Sequence, residues 1–143
     1  MGSLKATRDV IEARFELLIA GPQAVPVVYD NEDEPTAAET WIRASIVWGE
    51  AETVELGSDP IARTMFSIMA ATHTRIGSGS GTALEILDAI GDAFRAVTDT
   101  GVAFLTPRPL DSTERGQLEP NPSSTYVAGV SCPGYFERRK SEV

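Results

Sequence analysis

Residues 61–97 read IARTMFSIMAATHTRIGSGSGTALEILDAIGDAFRAV, and how this stretch is read decides the fold. Residues 61–74 are an apolar run of strand character. Gly77, Gly79 and Gly81, interleaved with Ser78 and Ser80, then form a turn. A helix is expected over about 83–97. Thr82 and Glu85 have the spacing of a capping box, in which each side chain reaches an otherwise unpaired backbone N–H of the other. Ala83, Ile86, Leu87, Ile90, Ala93, Phe94 and Val97 recur with a helical period and not a strand period. A strand, a glycine turn and a helix in succession make either a phosphate cradle or the hinge of a sheet-and-helix scaffold.

The segments on either side extend the pattern. A first helix is expected over about 6–19, with Val10, Ile11, Phe15, Leu18 and Ile19 on one stripe and Gly21-Pro22 ending it. A short strand over 25–29 precedes a polar loop, 30–39, that contains Pro35. Residues 41–48 alternate, with Ile42, Ala44, Ile46 and Trp48 on one face and Arg43 and Ser45 on the other. The charged connection 50–60 has the length of an arm or an extended hairpin. Val102 to Thr106 reads as a strand stopped by Pro107 and Pro109. A Pro- and Ser-rich loop follows over 111–124, and a last strand covers 125–132, continued by Tyr135 and Phe136. Short polar connections favour antiparallel neighbours. The expected fold is therefore α+β, a single domain with an antiparallel or mixed sheet of about five strands and two amphipathic helices on one face.

Composition bounds the function. A chain of 143 residues with 42% hydrophobic content suits one domain with one core. No apolar run approaches the roughly 20 residues that span a bilayer, and the charged start of the chain lacks the apolar centre of a signal peptide. One cysteine, Cys132, forms no internal disulfide and fits a reducing compartment. The expectation is a protein made in the cytoplasm, with no membrane partner. Net charge is −9, and between Asp30 and Asp59 nine acidic residues face one base, Arg43. Such a balance disfavours nonspecific nucleic-acid binding, which rests on attraction to phosphate.

Catalytic readings fail on spacing. A P-loop needs a lysine after its last glycine, and no lysine stands between Lys5 and Lys140. A dinucleotide fingerprint needs a further glycine, but Thr82, Ala83 and Leu84 follow Gly81. The centre of the turn is Gly79, not the serine of a nucleophile elbow. His73 is the sole histidine, so one chain builds neither a triad nor a histidine metal site. Cys132 reads as a small core residue. Asp30, Glu32, Asp33 and Glu34 lack an EF-hand pattern. No enzyme activity, no cofactor and no metal are expected; a small anion- or nucleotide-binding domain using the 77–81 turn stays open as a separate class.

The order of elements resembles the tail terminator (tail completion) proteins of long non-contractile phage tails and gene transfer particles, over about residues 6–139. The resemblance rests on the N-terminal amphipathic helix, the proline-led strand at 26–31 and the acidic loop. It continues through Trp41-Ile42-Arg43-Ala44, Gly49-Glu50-Ala51, Ala62-Arg63, and Gly79-Ser80-Gly81-Thr82 with the Leu84, Leu87, Ala89, Ile90 core. Val102-Ala103-Phe104 and Tyr126-Val127 with Val130 close it. The loop 111–124 and the weak alternation of Met65 to Ala71 depart from the family pattern.

That resemblance implies a structural virion protein, not an enzyme. It implies a ring, a hexamer when assembled, on the last ring of the major tail-tube protein at the head-proximal end of the tail. Such a ring stops tube growth and offers the surface joined by the head–tail connector or neck protein. DNA passes through it without specific binding. A neck or head-completion adaptor is the alternative within the same class. Within this reading the expected partner-contacting residues are Glu50, Glu52, Val54, Glu55, Leu56 and Asp59 on the 50–60 connection, with Arg138 and Arg139 at the basic end. Asp30, Glu32, Asp33 and Glu34 are candidates to face a lumen through which DNA passes, where like charge suppresses sticking.

Overall fold

A computed structural model describes residues 2–30, 32, 40–75, 81–110 and 125–140. The chain opens with α1 (Leu4–Phe15), capped by the Ser3 hydroxyl, which accepts from the Ala6 N–H at 3.0 Å. The helix runs on through a π-helical segment, Glu16–Ala20, and a short α2, Gly21–Gln23, before Ala24 takes a left-handed conformation (φ 53°). The strands are β1 (Val27–Val28), β2 (Thr40–Glu55) and β3 (Ile61–Arg75). After α3 (Gly81–Ala93) come β4 (Val97–Asp99), β5 (Val102–Phe104), β6 (Arg108–Pro109) and β7 (Thr125–Arg139).

The sheet is mixed, in the order β1-β2-β3-β7-β5-β4, with β6 also pairing with β7. This is the expected α+β class, with seven strands among the described residues instead of about five. Both extra strands are short and hidden from a periodicity reading. Val97 fits the helical stripe, yet α3 ends at Ala93 and Val97 begins β4. The helix breaks because Ala96 adopts a left-handed backbone (φ 47°) and its N–H donates to the Leu105 carbonyl at 3.0 Å. The strand β6 contains Pro109, a residue that belongs only at edges or bulges.

Other boundaries shift for identifiable reasons. The helix α3 begins at Gly81, so Thr82 lies inside it and does not act as the expected cap; the turn residues 76–80 lie outside the described residues. The strand β2 runs seven residues past its expected end at Trp48, and β7 runs three past the expected continuation at Phe136, because each pairs with β3 over its full length. The first pairing also differs. The strand β1 lies parallel to β2, with Val27 beside Ile42 and the Ile42 N–H donating to the Pro26 carbonyl at 2.9 Å, not antiparallel as short connections favour. The connection 30–39 is long enough to return the chain to the same end of the sheet.

The core lies between the sheet and the two helical segments. Ile11, Phe15 and Ile19 from the first helix and Ile86, Ile90, Ala93 and Phe94 at α3 meet Ile42, Ala44, Phe66, Ile68, Val130, Cys132 and Phe136. Phe94 packs 4.8 Å from Phe15 and 5.2 Å from Phe104, centroid to centroid. Along the central strand β3, the run from Ala70 to Thr74 is at most 2% exposed, so both faces are covered there. Over 65–70, where the sequence alternates weakly, burial still alternates: Phe66, Ile68 and Ala70 are buried and Met65, Ser67 and Met69 half-buried. On the face away from the helices, Trp41 stacks on His73 with centroids 3.9 Å apart and rings 4° from parallel. His73 is thus a buried structural residue, 2% exposed.

Candidate partner interface

The clearest functional feature is an arm made of three strands. Beyond Phe66 and Phe136, the last buried positions, β2, β3 and β7 continue together with only half-buried or exposed residues. A β-bulge marks the junction: Gly49 and Glu50 stand opposite the single residue Met65. Glycine fits because a Cβ at position 49 would sit 3.2 Å from the Met65 carbonyl oxygen. The bulge exchanges the faces, so that Glu52, and not an odd-numbered residue, shares a face with Arg63.

Charges then alternate across the arm. Glu52 lies opposite Arg63, and Arg63 lies opposite Glu137. The Arg63 guanidinium donates to Glu137 Oε1 at 3.1 and 2.6 Å and lies 4.2 Å from the Tyr135 ring centre. The Glu137 carboxylate holds the guanidinium proton more firmly than usual, with Glu52 adding to the effect. Two register positions on, Ile61 is flanked by Glu55 and Arg139, whose side chains pair at 3.5 Å. The Lys140 N–H donates to the Pro60 carbonyl at 3.0 Å, so the basic end of the chain is ordered against the arm. These exposed pairs, screened by solvent, contribute little stability. Their consequence is register and shape.

The arm carries apolar groups to its surface. Val47, Trp48, Val54 and Leu56 are all exposed, and Leu56 is 88% exposed beside Gly57, whose φ of +133° turns the chain. The strand β1 covers β2 only at Ile42 and Arg43, so from Ala44 to Glu55 no described strand covers the outer edge of β2. An exposed sheet edge of that length is a template for pairing with another chain.

The structure therefore brings Glu50, Glu52, Val54, Glu55, Leu56, Asp59, Arg138 and Arg139 together on one arm. Residues 50–55, expected as a connection, are strand; Leu56 to Pro60 alone make the turn. Arg63, Tyr135 and Glu137 are the members that sequence reasoning missed. The alternation Tyr135, Glu137, Arg139 was their available signal.

The acidic candidates near position 30 sit elsewhere, beside the first helix. Glu32 Oε1 accepts from the Tyr29 N–H at 2.7 Å, and the Tyr29 hydroxyl donates to Glu16 Oε1 at 3.0 Å. Burial and then the Glu16 acceptor push the Tyr29 hydroxyl well above its ordinary value. Asp30 borders a cleft of about 350 Å³ that Arg8, Glu12, Ile46 and Trp48 also line, at the open edge of β2. Asp33 and Glu34 lie outside the described residues, as does the 77–81 turn except for Gly81.

Among the described residues no three His, Cys, Asp or Glu side chains converge as a metal site, and no helix is long and apolar enough to cross a membrane. Cys132 is buried in the core, and burial pushes its thiol up to about 12. No protein-family model matches the chain, and no curated protein does. Seven chains among solved structures match it. One, known only by a serial designation, shares 20% identity over 92% of this chain and 95% of that chain, with a TM-score of 0.50. At that identity the likeness is one of fold alone.

Proposed function

We propose that this chain is a ring-forming structural protein that caps a phage tail tube, in the manner of a tail terminator. The observation that carries the reading is the three-stranded arm, with its exposed Val54 and Leu56 and the open β2 edge beside it. A closed ring needs head-to-tail contacts between unlike patches of identical subunits. A stiff, paired arm that extends past the core supplies one such patch without ordering a loose loop on assembly. The sequence resemblance supplies the setting: a hexamer on the last ring of tail-tube subunits, at the head-proximal end of the tail, presenting a surface to the connector or neck.

In this reading the chain is not an enzyme and takes no cofactor. The acid excess near Asp30 and Glu32 keeps the ring from holding the DNA that traverses it. That assignment fails if these residues lie on the outer rim of the assembled ring. Negative-stain imaging of the protein mixed with tail tubes tests the function directly. Six-fold rings capping tube ends are expected, and Leu56→Asp abolishes them. Rings on portals instead of tubes would make the chain a neck adaptor.

A further inference from the structure

A ring built head to tail needs a receiving surface as well as an arm, and the molecule offers one at the opposite edge of its sheet. A groove of about 380 Å³ lies between the outer side of α3 and the end of the sheet at β6 and β7. Leu84, Leu87, Pro107 and Leu110 give it an apolar lining, and Leu84 is 49% exposed. Arg95 and Arg108, both exposed, stand in the same lining, against one acid, Asp88.

We propose that this groove receives the tip of the arm, Val54 to Leu56, of a second copy of this chain. The inference rests on the ring reading and deepens it, by naming which surface meets which. Two observations select this occupant. The tip is apolar at Val54 and Leu56, and Glu50 and Glu52 lie exposed on the same strand, complementary to Arg95 and Arg108. Glu55 pairs with Arg139, and Glu52 also lies opposite Arg63 within the arm. Complementary rim charges orient an encounter and fix its register.

The second observation is distance. The groove touches β7 at Ala128 to Val130, whereas the arm leaves it at Arg138 and Arg139. Eight residues of extended strand separate Val130 from Arg138, roughly 26 Å. The tip, at the end of β2, is held by pairing with β3 and is separated from β6 by β3 and β7. No arm reaches its own groove, so the seat is filled only between molecules. An arm at one edge and a seat at the other is the arrangement that propagates from subunit to subunit until rotation closes it.

The test uses full-length Leu56→Cys and Leu84→Cys variants, with a short bis-maleimide as cross-linker and the buried Cys132 as an internal control. Sedimentation is run in parallel, from dilute protein up to the concentration at which rings form, and on tail tubes. The expected result is a cross-linked dimer from the mixture and none from either variant alone. The variant carrying both cysteines should give a ladder ending in a closed ring. Arg95→Glu with Arg108→Glu should weaken association roughly tenfold, and Glu50→Lys with Glu52→Lys in the partner should restore it. Rings that form without a 56–84 link, or Leu56→Cys linking to itself, overturn the seat and leave the ring reading standing. Protein that stays monomeric at every concentration and on tubes overturns both.

Discussion

Arg14 lies between the first helix, the end of α3 and β4, with a side chain only 16% exposed. Its Nε donates to the Ala93 carbonyl at 3.0 Å and a second guanidinium nitrogen donates to the same oxygen, while Nη1 pairs with Asp99 at 3.0 Å. Ala93 ends α3, where carbonyls lack partners within the helix and a cation is favoured. The guanidinium also lies 5.7 and 5.6 Å from the ring centres of Phe94 and Phe104. Arg14→Met should cost about 2 kcal/mol in urea unfolding, the scale of hydrogen bonds to a charged group. The Thr100 hydroxyl and then Arg14 hold the Asp99 carboxyl below its ordinary value. A lowered folded pKa means that the stabilisation is complete above the unfolded value, about 3.9, and fades as pH falls through the folded one. Loss of Arg14 should therefore flatten the decline in unfolding midpoint below about pH 4, in a pH series of melts.

Cys132 moves the other way. With its thiol pushed up to about 12 by burial, the neutral form is favoured in the fold. That preference is fully present below the unfolded value, about 8.5, and is lost as pH climbs toward the folded one. At pH 8 a disulfide reagent should label native protein slowly and urea-unfolded protein at once. Equal rates in the two states would contradict the burial. Gly134 is limiting for a steric reason: a Cβ there would meet the Ala103 carbonyl oxygen and the Phe66 ring, both at 2.5 Å. Gly134→Ala should destabilise by about 2 kcal/mol through overpacking, read as a shift in urea midpoint. The strand runs on through Pro133-Gly134, as the sequence reading continued it, and Gly134 stands opposite Phe104 of β5.

Among elements, the helices were the most legible, because an apolar stripe at a period of 3.6 residues is local information. Phe15, Ile19, Ile86, Ile90 and Phe94 all appear in the core that the stripes imply. Phe94→Ala should cost about 3–5 kcal/mol, since its ring contacts both Phe15 and Phe104. The alternation of Ile42, Ala44, Ile46 and Trp48 was likewise readable. The outer half of β2 was not. Glu50 to Glu55 carries no apolar alternation, since neither face meets the core, and its strand structure comes from partners distant in sequence. Leu56→Asp separates those roles. With Leu56 88% exposed, the variant should unfold within about 0.5 kcal/mol of the parent. It should nonetheless fail to cap tubes in negative stain.

At the scale of the molecule, the amino-acid pattern by itself determined the α+β class, the two helical faces, much of the core and the failure of each catalytic motif. These follow from periodicity and spacing, which neighbouring residues carry. Leu18, Trp48 and Leu84, read onto apolar faces, are nonetheless exposed. Tertiary structure alone decided the parallel placement of β1, the insertion of β7 between β3 and β5, and the merging of residues 50–59 with Arg63 and Arg138–Arg139 into one arm. It also decided that the arm and the Leu84 groove stand at opposite edges of the sheet. Such pairings join positions tens of residues apart through backbone hydrogen bonds common to every residue type. No local pattern encodes which strands share them; only the simultaneous packing of one core against both helices selects the arrangement.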